Sequence, residues 1–238
     1  MPPAEPRKIY GAICPHAGYV YSGPVACHSF HAMSGNRYNT FVVIGPNHWG
    51  VGRNMAAPAD CLWETPLGGV EVDSQAARRL AGTSDVEIDF FSHSREHSIE
   101  VQIPMIQQAF SDFRILPVAM IDQTKAAAIG LGMAVARMHD AGMMVIGSSD
   151  FTHYEPEGRA REQDMALIGA VLELDVHRFY DILEERQVSA CGYGAVAATM
   201  VASRELGATR GELLKYATSG DVTGDMDSVV GYGSVVFV

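Results

Sequence analysis

Three strand-like apolar runs of this chain are each followed by polar residues that could bind a metal or catalyse a reaction. The runs are residues 9–14, 40–45 and 143–147, and the side chains that follow them are His16, His48, Asp150 and His153. Neutral imidazole is the commonest metal ligand in proteins. Ligands and metals gather beyond the carboxyl ends of the strands in open α/β sheets. The pattern therefore predicts one composite polar site that binds a metal.

Asp150 and His153 lie three residues apart, so a helical turn would place both side chains in one pocket. In that arrangement Asp150 orients the ring of His153, or either residue binds the metal. The alternative is that Asp150 caps a helix and His153 lies exposed in its first turn.

Cys191 is the best candidate for a reactive cysteine. It lies in a small-residue turn, residues 189–194, at the predicted start of a helix. Amides at a helix N-terminus lower the pKa of a thiol, and the thiolate is both a nucleophile and a soft metal ligand. The alternative is a small buried residue at a place where bulk would clash. The four cysteines include no CxxC pair, so free thiols are predicted.

The segment Glu96-His97-Ser98-Ile99-Glu100 is dense in carboxylate and imidazole, but it lacks the second histidine of the HExxH zinc motif. It fits a helix start at which the helix dipole favours the two glutamates. It fits equally a carboxylate, from Glu96 or Glu100, that orients a metal-binding histidine.

Strands and helices alternate along the chain, which predicts an α/β fold with a mostly parallel or mixed sheet covered on both faces. The predicted strands are residues 9–14, 40–45, 54–57, 69–72, 114–120, 143–147, 213–218 and 229–238. The predicted helices are residues 22–34, 74–82, 99–110, 124–139, two between 159 and 185, and 192–205. Ser22 is the expected N-cap of the first helix. No linker interrupts the pattern, so residues 1–238 are predicted to form a single domain.

The composition excludes several classes of partner. The formal net charge is −11 and no basic block occurs, which argues against binding to nucleic acid or to an anionic membrane surface. The N-terminal residues lack the apolar core of a signal peptide, and the apolar run at residues 126–138 is too short to span a bilayer. We therefore predict a cytoplasmic protein.

Five segments, taken together, resemble the Memo family, whose prokaryotic members are called AmmeMemoRadiSam system protein B. They are residues 15–23 (PHAGYVYSG), 45–48 (GPNH), 96–100 (EHSIE), 148–153 (SSDFTH) and 191–192 (CG). The resemblance covers nearly the whole chain in the family's motif order. It implies a fold similar to that of the class III extradiol ring-cleaving dioxygenases, with a central mixed sheet flanked by helices and a non-haem iron site.

The resemblance also implies roles for individual residues. His16, His48 and Cys191 match the family's metal-binding residues, and Asp150 and His153 match its adjacent acidic and imidazole positions. The ring-cleaving enzymes use two histidines and a carboxylate, so the thiolate argues against ring cleavage. Fe(II) is the favoured metal, although a His, His, Cys set also suits zinc or copper.

These observations favour a metal-dependent redox enzyme acting on an unidentified small substrate. The predicted catalytic residues are His153 as the base, Asp150 and Cys191, with Tyr21 or Tyr193 as a proton donor. The predicted substrate-binding residues are Tyr19, Tyr21, Asn47, Glu96, His97 and Tyr193. Two alternatives are a non-catalytic adaptor that binds a peptide or protein, and a metal-free acyl transferase or hydrolase with Cys191 as nucleophile. The family name further implies a pathway link to a radical-SAM protein and an AMMECR1-like protein.

Overall fold

The predicted buried strands form a central mixed sheet with helices on both faces, in a computed structural model that describes residues 3–238. The strands are β1 (Gly11–Cys14), β2 (Thr40–Pro46), β3 (Met55–Ala57), β4 (Leu62–Thr65), β5 (Gly68–Glu71), β6 (Glu87–Ile88), β7 (Arg114–Met120), β8 (Met143–Ser148), β9 (His153–Glu155), β10 (Gly211–Thr218) and β11 (Val229–Phe237). The helices are α1 (Tyr19–Met33), α2 (Ser74–Ala81), α3 (Gln102–Ala109), α4 (Lys125–Met138), α5 (Glu157–Leu172), α6 (Val176–Arg186), α7 (Tyr193–Glu205) and α8 (Gly220–Thr223). The predicted fold class, a single α/β domain with a central mixed sheet, is confirmed.

Four parallel strands lie at the centre of the sheet, in the order β1, β8, β2, β7. Cys14 at the end of β1 pairs with Ser148 at the end of β8, and Pro46 at the end of β2 pairs with Met120 at the end of β7. The carboxyl ends of all four strands therefore lie along one edge, which is where loops from distant parts of the chain meet. On the other side of β1, β11 runs antiparallel and carries β10 and β9 as further antiparallel partners.

Both faces of the sheet are buried, so the central strands are apolar at successive positions. Val42 and Ile44 of β2 face the larger core, which is closed by α2, α4, α5, α6 and α7. Phe41 and Val43 face a second core, which is closed by α1 and α3. This two-sided burial holds the strand ends rigidly and therefore fixes the positions of the loops that follow them.

Two local predictions were wrong. Helix α1 begins at Tyr19, three residues before the expected cap, because the amides of Tyr21 and Ser22 already bond to the Gly18 carbonyl. Ser22 is buried and donates its hydroxyl to the Ala17 carbonyl instead of capping the helix. The hairpin of β4 and β5 was predicted only in its second strand, because β4 alternates exposed and half-buried positions and lacks a core pattern.

Two glycines of α4 give opposite expectations for the same substitution. A methyl group at exposed Gly130 would meet no atom within 4 Å, so Gly130→Ala is expected to stabilise the fold by about 0.5–1 kcal/mol. At buried Gly132 the methyl would lie 2.5 Å from the Ala198 carbonyl oxygen of α7, so Gly132→Ala is expected to destabilise by about 1–3 kcal/mol. Urea denaturation of the two variants measures both values, and shifts of the same sign would contradict the close packing of α4 on α7.

The apolar run at residues 126–138, predicted to be too short to span a bilayer, lies within helix α4. Within residues 3–238, no helix combines the length and the apolar character that crossing a bilayer requires.

Candidate metal centre

The ring of His16 is fixed by hydrogen bonds beneath the strand ends. Its Nδ1 lies 2.9 Å from the hydroxyl of Ser148, which donates to the Ser98 carbonyl at 2.6 Å and accepts from the Gln102 amide at 2.8 Å. The single hydroxyl proton is needed at the Ser98 carbonyl, which can only accept, so Ser148 must accept from His16. The proton of the neutral ring is therefore on Nδ1, and Nε2 carries a free lone pair.

Burial also keeps His16 neutral. Loss of hydration lowers the pKa of the His16 ring to about 4, against an opposing effect of the Asp150 carboxylate. His16 is therefore unprotonated at Nε2 at neutral pH, which is the state that a metal requires.

His48 is held by Glu96 in the same way. Glu96 is buried, and its Oε1 accepts from His48 Nδ1 at 2.9 Å and from the amides of His97 and Ser98. Its other oxygen accepts from the His48 amide. Burial raises the pKa of Glu96, but these bonds from His48 and the backbone outweigh it and lower the pKa to about 2. The carboxylate therefore fixes the proton on Nδ1 of His48 and leaves Nε2 free, as predicted for a carboxylate that orients a ligand histidine.

Cys191 lies against His16. Its Sγ is 3.2 Å from His16 Nε2 and accepts from the Asp150 amide at 3.3 Å. Burial and the nearby Asp150 carboxylate raise the pKa of the Cys191 thiol, which is opposite to the lowered value predicted from a helix N-terminus. Helix α7 begins only at Tyr193, and the helical amides do not outweigh the loss of hydration. Without a metal, Cys191 is a neutral thiol that donates to His16, which disfavours it as a metal-free nucleophile.

Two sets of possible metal-ligand atoms lie at this edge of the sheet. Within each set, all the atoms lie within 4.8 Å of one another. One is His16, His48 and His97, and the other is His16, Asp150 and Cys191. His16 belongs to both, whereas His48 and Cys191 stand in different sets. His16 therefore joins two neighbouring donor sets, one with His48 and one with Cys191.

Asp150 and His153 do not share a helical turn, because residues 153–155 form strand β9. Asp150 Oδ1 instead accepts from the amides of His16 and Ala17, at 2.8 and 3.3 Å, and so fastens the turn after β1. His153 Nδ1 lies 2.9 Å from the Ser189 carbonyl, which can only accept. His153 therefore carries a proton on Nδ1 and is tied to the loop that bears Cys191.

The other predicted substrate-binding residues differ in whether their polar groups are already used in hydrogen bonds within the protein. Asn47 is buried and uses its side chain to organise its own loop, with bonds to Trp49, Gly50, Val51 and Ser92. Tyr19 and Tyr21 are exposed at the start of α1, and the Tyr19 hydroxyl donates to the Val101 carbonyl. Tyr193 is half-buried against Tyr180, and the His97 ring stacks on His48 with 4.8 Å between ring centres. Their roles in substrate binding stay predictions.

The donor set fits a transition metal. His16 and His48 each have Nδ1 fixed by a hydrogen bond, which leaves Nε2 as the nitrogen that could bind a metal, and Cys191 supplies a sulfur. Two imidazoles and a thiolate suit Fe(II), Zn(II) or copper, and the chemistry of the set does not choose among them.

Comparison with known proteins agrees with the motifs. The family model described as "Memo-like protein" matches residues 1–236. The chain belongs to the Memo family. Relatives described as MEMO1 family proteins include one from Nitrosopumilus maritimus, 54% identical over 233 residues, covering 97% of this chain and 85% of the relative. Another, from Methanosarcina barkeri, is 48% identical over 234 residues and covers 97% and 87%.

A solved structure gives an independent likeness of the fold. The crystal structure of the uncharacterized protein JW3007 from Escherichia coli K12 aligns with a TM-score of 0.64 at 15% sequence identity, covering 96% of this chain and all of the other. At that identity the likeness concerns the fold alone. The predicted Memo membership and α/β fold are thus confirmed, and activity is not addressed by either comparison.

Sequence reasoning missed Gln102, a fully buried residue of α3. Its amide donates to Ser148 and to the Pro15 carbonyl, so it supports the bond that fixes the His16 tautomer. The only signal in the sequence is a polar residue among the apolar positions of an amphipathic helix, and this signal does not separate a buried side chain from an exposed one.

Proposed function

We propose that this Memo family protein is a metal-dependent redox enzyme, with Fe(II) as the favoured metal and Zn(II) or copper as alternatives. The observation that carries the proposal is the pair of imidazoles whose Nδ1 atoms are bonded to Ser148 and Glu96, beside a thiol 3.2 Å from His16 Nε2. Buried bonds that preset a lone pair are a costly arrangement for a merely structural histidine. A metal held here would supply a redox or Lewis-acid centre for an oxygen-dependent reaction.

The chain's own residues supply the other parts of an active site. The Ser189 carbonyl fixes a proton on Nδ1 of His153, so Nε2 is the nitrogen that would act as the predicted general base. Asp150 holds the turn that carries His16 and donates its amide to Cys191, so it acts as a positioning residue. Tyr21 and Tyr193 remain the candidate proton donors.

The surface around the site favours a substrate with apolar or aromatic groups. Trp49 follows His48 directly and is 56% exposed, and Tyr154 follows His153 and is 77% exposed. Tyr19 and Tyr21, three and five residues after His16, are also exposed. Large exposed aromatic residues beside a buried polar centre are typical of a binding surface. We therefore propose a small organic molecule or a peptide as the substrate, and no nucleic acid.

The same aromatic residues favour a second candidate, a non-catalytic binding protein that keeps the pocket. The His48→Ala variant separates the two candidates. If the protein is a non-catalytic binding protein, its affinity for the partner is unchanged in this variant. If it is a metal-dependent enzyme, the variant loses its bound metal. The pathway link to a radical-SAM protein and an AMMECR1-like protein is a proposal that follows from family membership.

Elemental analysis of protein prepared without oxygen and loaded with Fe(II) tests the main proposal. About one iron per chain is expected in the parent protein, with strong losses in His16→Ala and His48→Ala and a weaker loss in Cys191→Ser. His177→Ala, at an exposed histidine of α6, is the control and should keep its iron. Folded parent protein that binds no iron, zinc or copper would overturn the proposal.

A further inference from the structure

The His97 ring lies close to the rings of both His16 and His48. Its ring centre lies 4.8 Å from that of His48 and 5.6 Å from that of His16. Donor atoms of the three rings all lie within 4.8 Å of one another. Three imidazoles in such a cluster match a donor set that proteins use for catalytic zinc.

Glu96 is shared by two of the three rings. Its Oε1 lies 2.9 Å from His48 Nδ1 and 3.4 Å from His97 Nδ1, while the same oxygen accepts the amides of His97 and Ser98. A carboxylate beside Nδ1 favours the proton on that nitrogen and leaves Nε2 as the donor atom. Glu96 therefore orients His48 through a hydrogen bond and lies within ion-pair distance of His97.

The Cys191 thiol belongs to a different donor set from His48 and His97. Cys191 shares its donor set with His16 and Asp150, and not with His48 or His97. The His97 side chain is about half exposed, at 51%, so small movements of this ring displace solvent and not core. His97 therefore offers a third nitrogen beside His16 and His48 that does not depend on Cys191.

We propose that His16, His48 and His97 form a three-histidine metal site that overlaps the predicted His16, His48 and Cys191 site. The proposal rests on the proposed function only in sharing its two histidines. Three neutral imidazoles suit Zn(II), Co(II) and other divalent ions, and a thiolate adds preference for softer ions. Cys191 is then a replaceable ligand, and a divalent ion stays bound when the sulfur is lost.

Titration with Co(II) alone tests the proposal, because sulfur-to-cobalt absorption in the near ultraviolet reports whether Cys191 is a ligand. Calorimetry on metal-free protein under argon gives the affinity of the parent chain, Cys191→Ser, His97→Ala and the double variant. Cys191→Ser is expected to bind one Co(II), within about tenfold of the parent affinity, without the sulfur band. The double variant is expected to bind at least 100-fold more weakly than Cys191→Ser.

The outcomes separate the two proposals. A parent protein that binds no Co(II) overturns both of them. A parent protein that binds while folded Cys191→Ser does not, or a double variant that matches Cys191→Ser, overturns only the three-histidine site. His177→Ala in the Cys191→Ser background is the matched control for His97→Ala, and circular dichroism establishes that each variant is folded.

Discussion

Replacing Glu96 by Gln is expected to weaken metal binding about 10- to 100-fold, because it removes the charge that fixes the proton on Nδ1 of His48. The substitution is also expected to lower the free energy of unfolding by about 2–3 kcal/mol. Four N–H groups donate to the carboxylate, and an amide nitrogen in place of one oxygen would face a donor. Calorimetric titration with Zn(II) and urea denaturation measure the two effects.

Glu100→Gln is the matched control, because Glu100 lies four residues away in the same segment and is exposed. It should change neither quantity by more than about 0.5 kcal/mol. Equal effects of the two substitutions would show that net charge near the site, and not the bond to His48, governs metal affinity.

Acidifying the metal-free protein from pH 6.5 to pH 4 is expected to lower the free energy of unfolding by up to about 3 kcal/mol for each of two buried histidines. Burial lowers the pKa of His16 and of His93 to about 4, whereas histidine in an unfolded chain titrates near 6.5. Between these two pKa values the unfolded state binds more protons than the folded state, so the free energy of unfolding decreases as the pH is lowered. Above about pH 7.5 both rings are neutral in the folded and the unfolded state, so they no longer make stability depend on pH.

His93 isolates one half of this effect, because it lies outside both donor sets. Its Nε2 donates to the Ala56 carbonyl, while its buried Nδ1 has no hydrogen-bond partner within residues 3–238. His93→Gln keeps a donor and removes the titration, so its stability should vary less between pH 6.5 and 4. Burial raises the pKa of Asp164, which opposes the histidines on acidification in parent and variant alike. A His93→Gln slope equal to that of exposed His177→Gln would contradict the prediction.

The sequence predicts those parts of the fold that depend on local pattern. Strand β7, Arg114–Met120, has the predicted bounds, and Asp73 caps α2 through the amide of Ala76, as expected for an aspartate before a helix. Residues 9–14 and 143–147 were recognised because a strand buried on both faces is continuously apolar. The start of α1 was misplaced because its first turn is capped by backbone bonds to Gly18, which leave no signature in side-chain types.

The sequence indicated which side chains meet at this edge of the sheet, but not the hydrogen bonds that hold them. His16, His48 and Cys191 stood out because a polar residue follows a strand or opens a helix, and the pairing of Cys14 with Ser148 brings such ends together. The tautomer of His16 depends on where one hydroxyl proton of Ser148 goes, which only the three-dimensional contacts decide. The thiol pKa was predicted in the wrong direction because burial is a property of the fold and not of the neighbouring residues.

The partners of β1 have a consequence for how the protein is made. Strand β1, which His16 follows by two residues, pairs with β8 on one side and with β11 on the other, so its neighbours are more than 125 residues away along the chain. At ordinary rates of translation, roughly 10–40 s separate synthesis of residue 14 from that of residue 229. During that interval the apolar segment of β1 lacks its final hydrogen-bond partners in β11. A chain still on the ribosome also lacks the donor residues that have not yet been synthesised. The proposed donor set is therefore complete only after residue 191 has been made, and the pairing of β1 with such distant strands is typical of a chain that folds slowly.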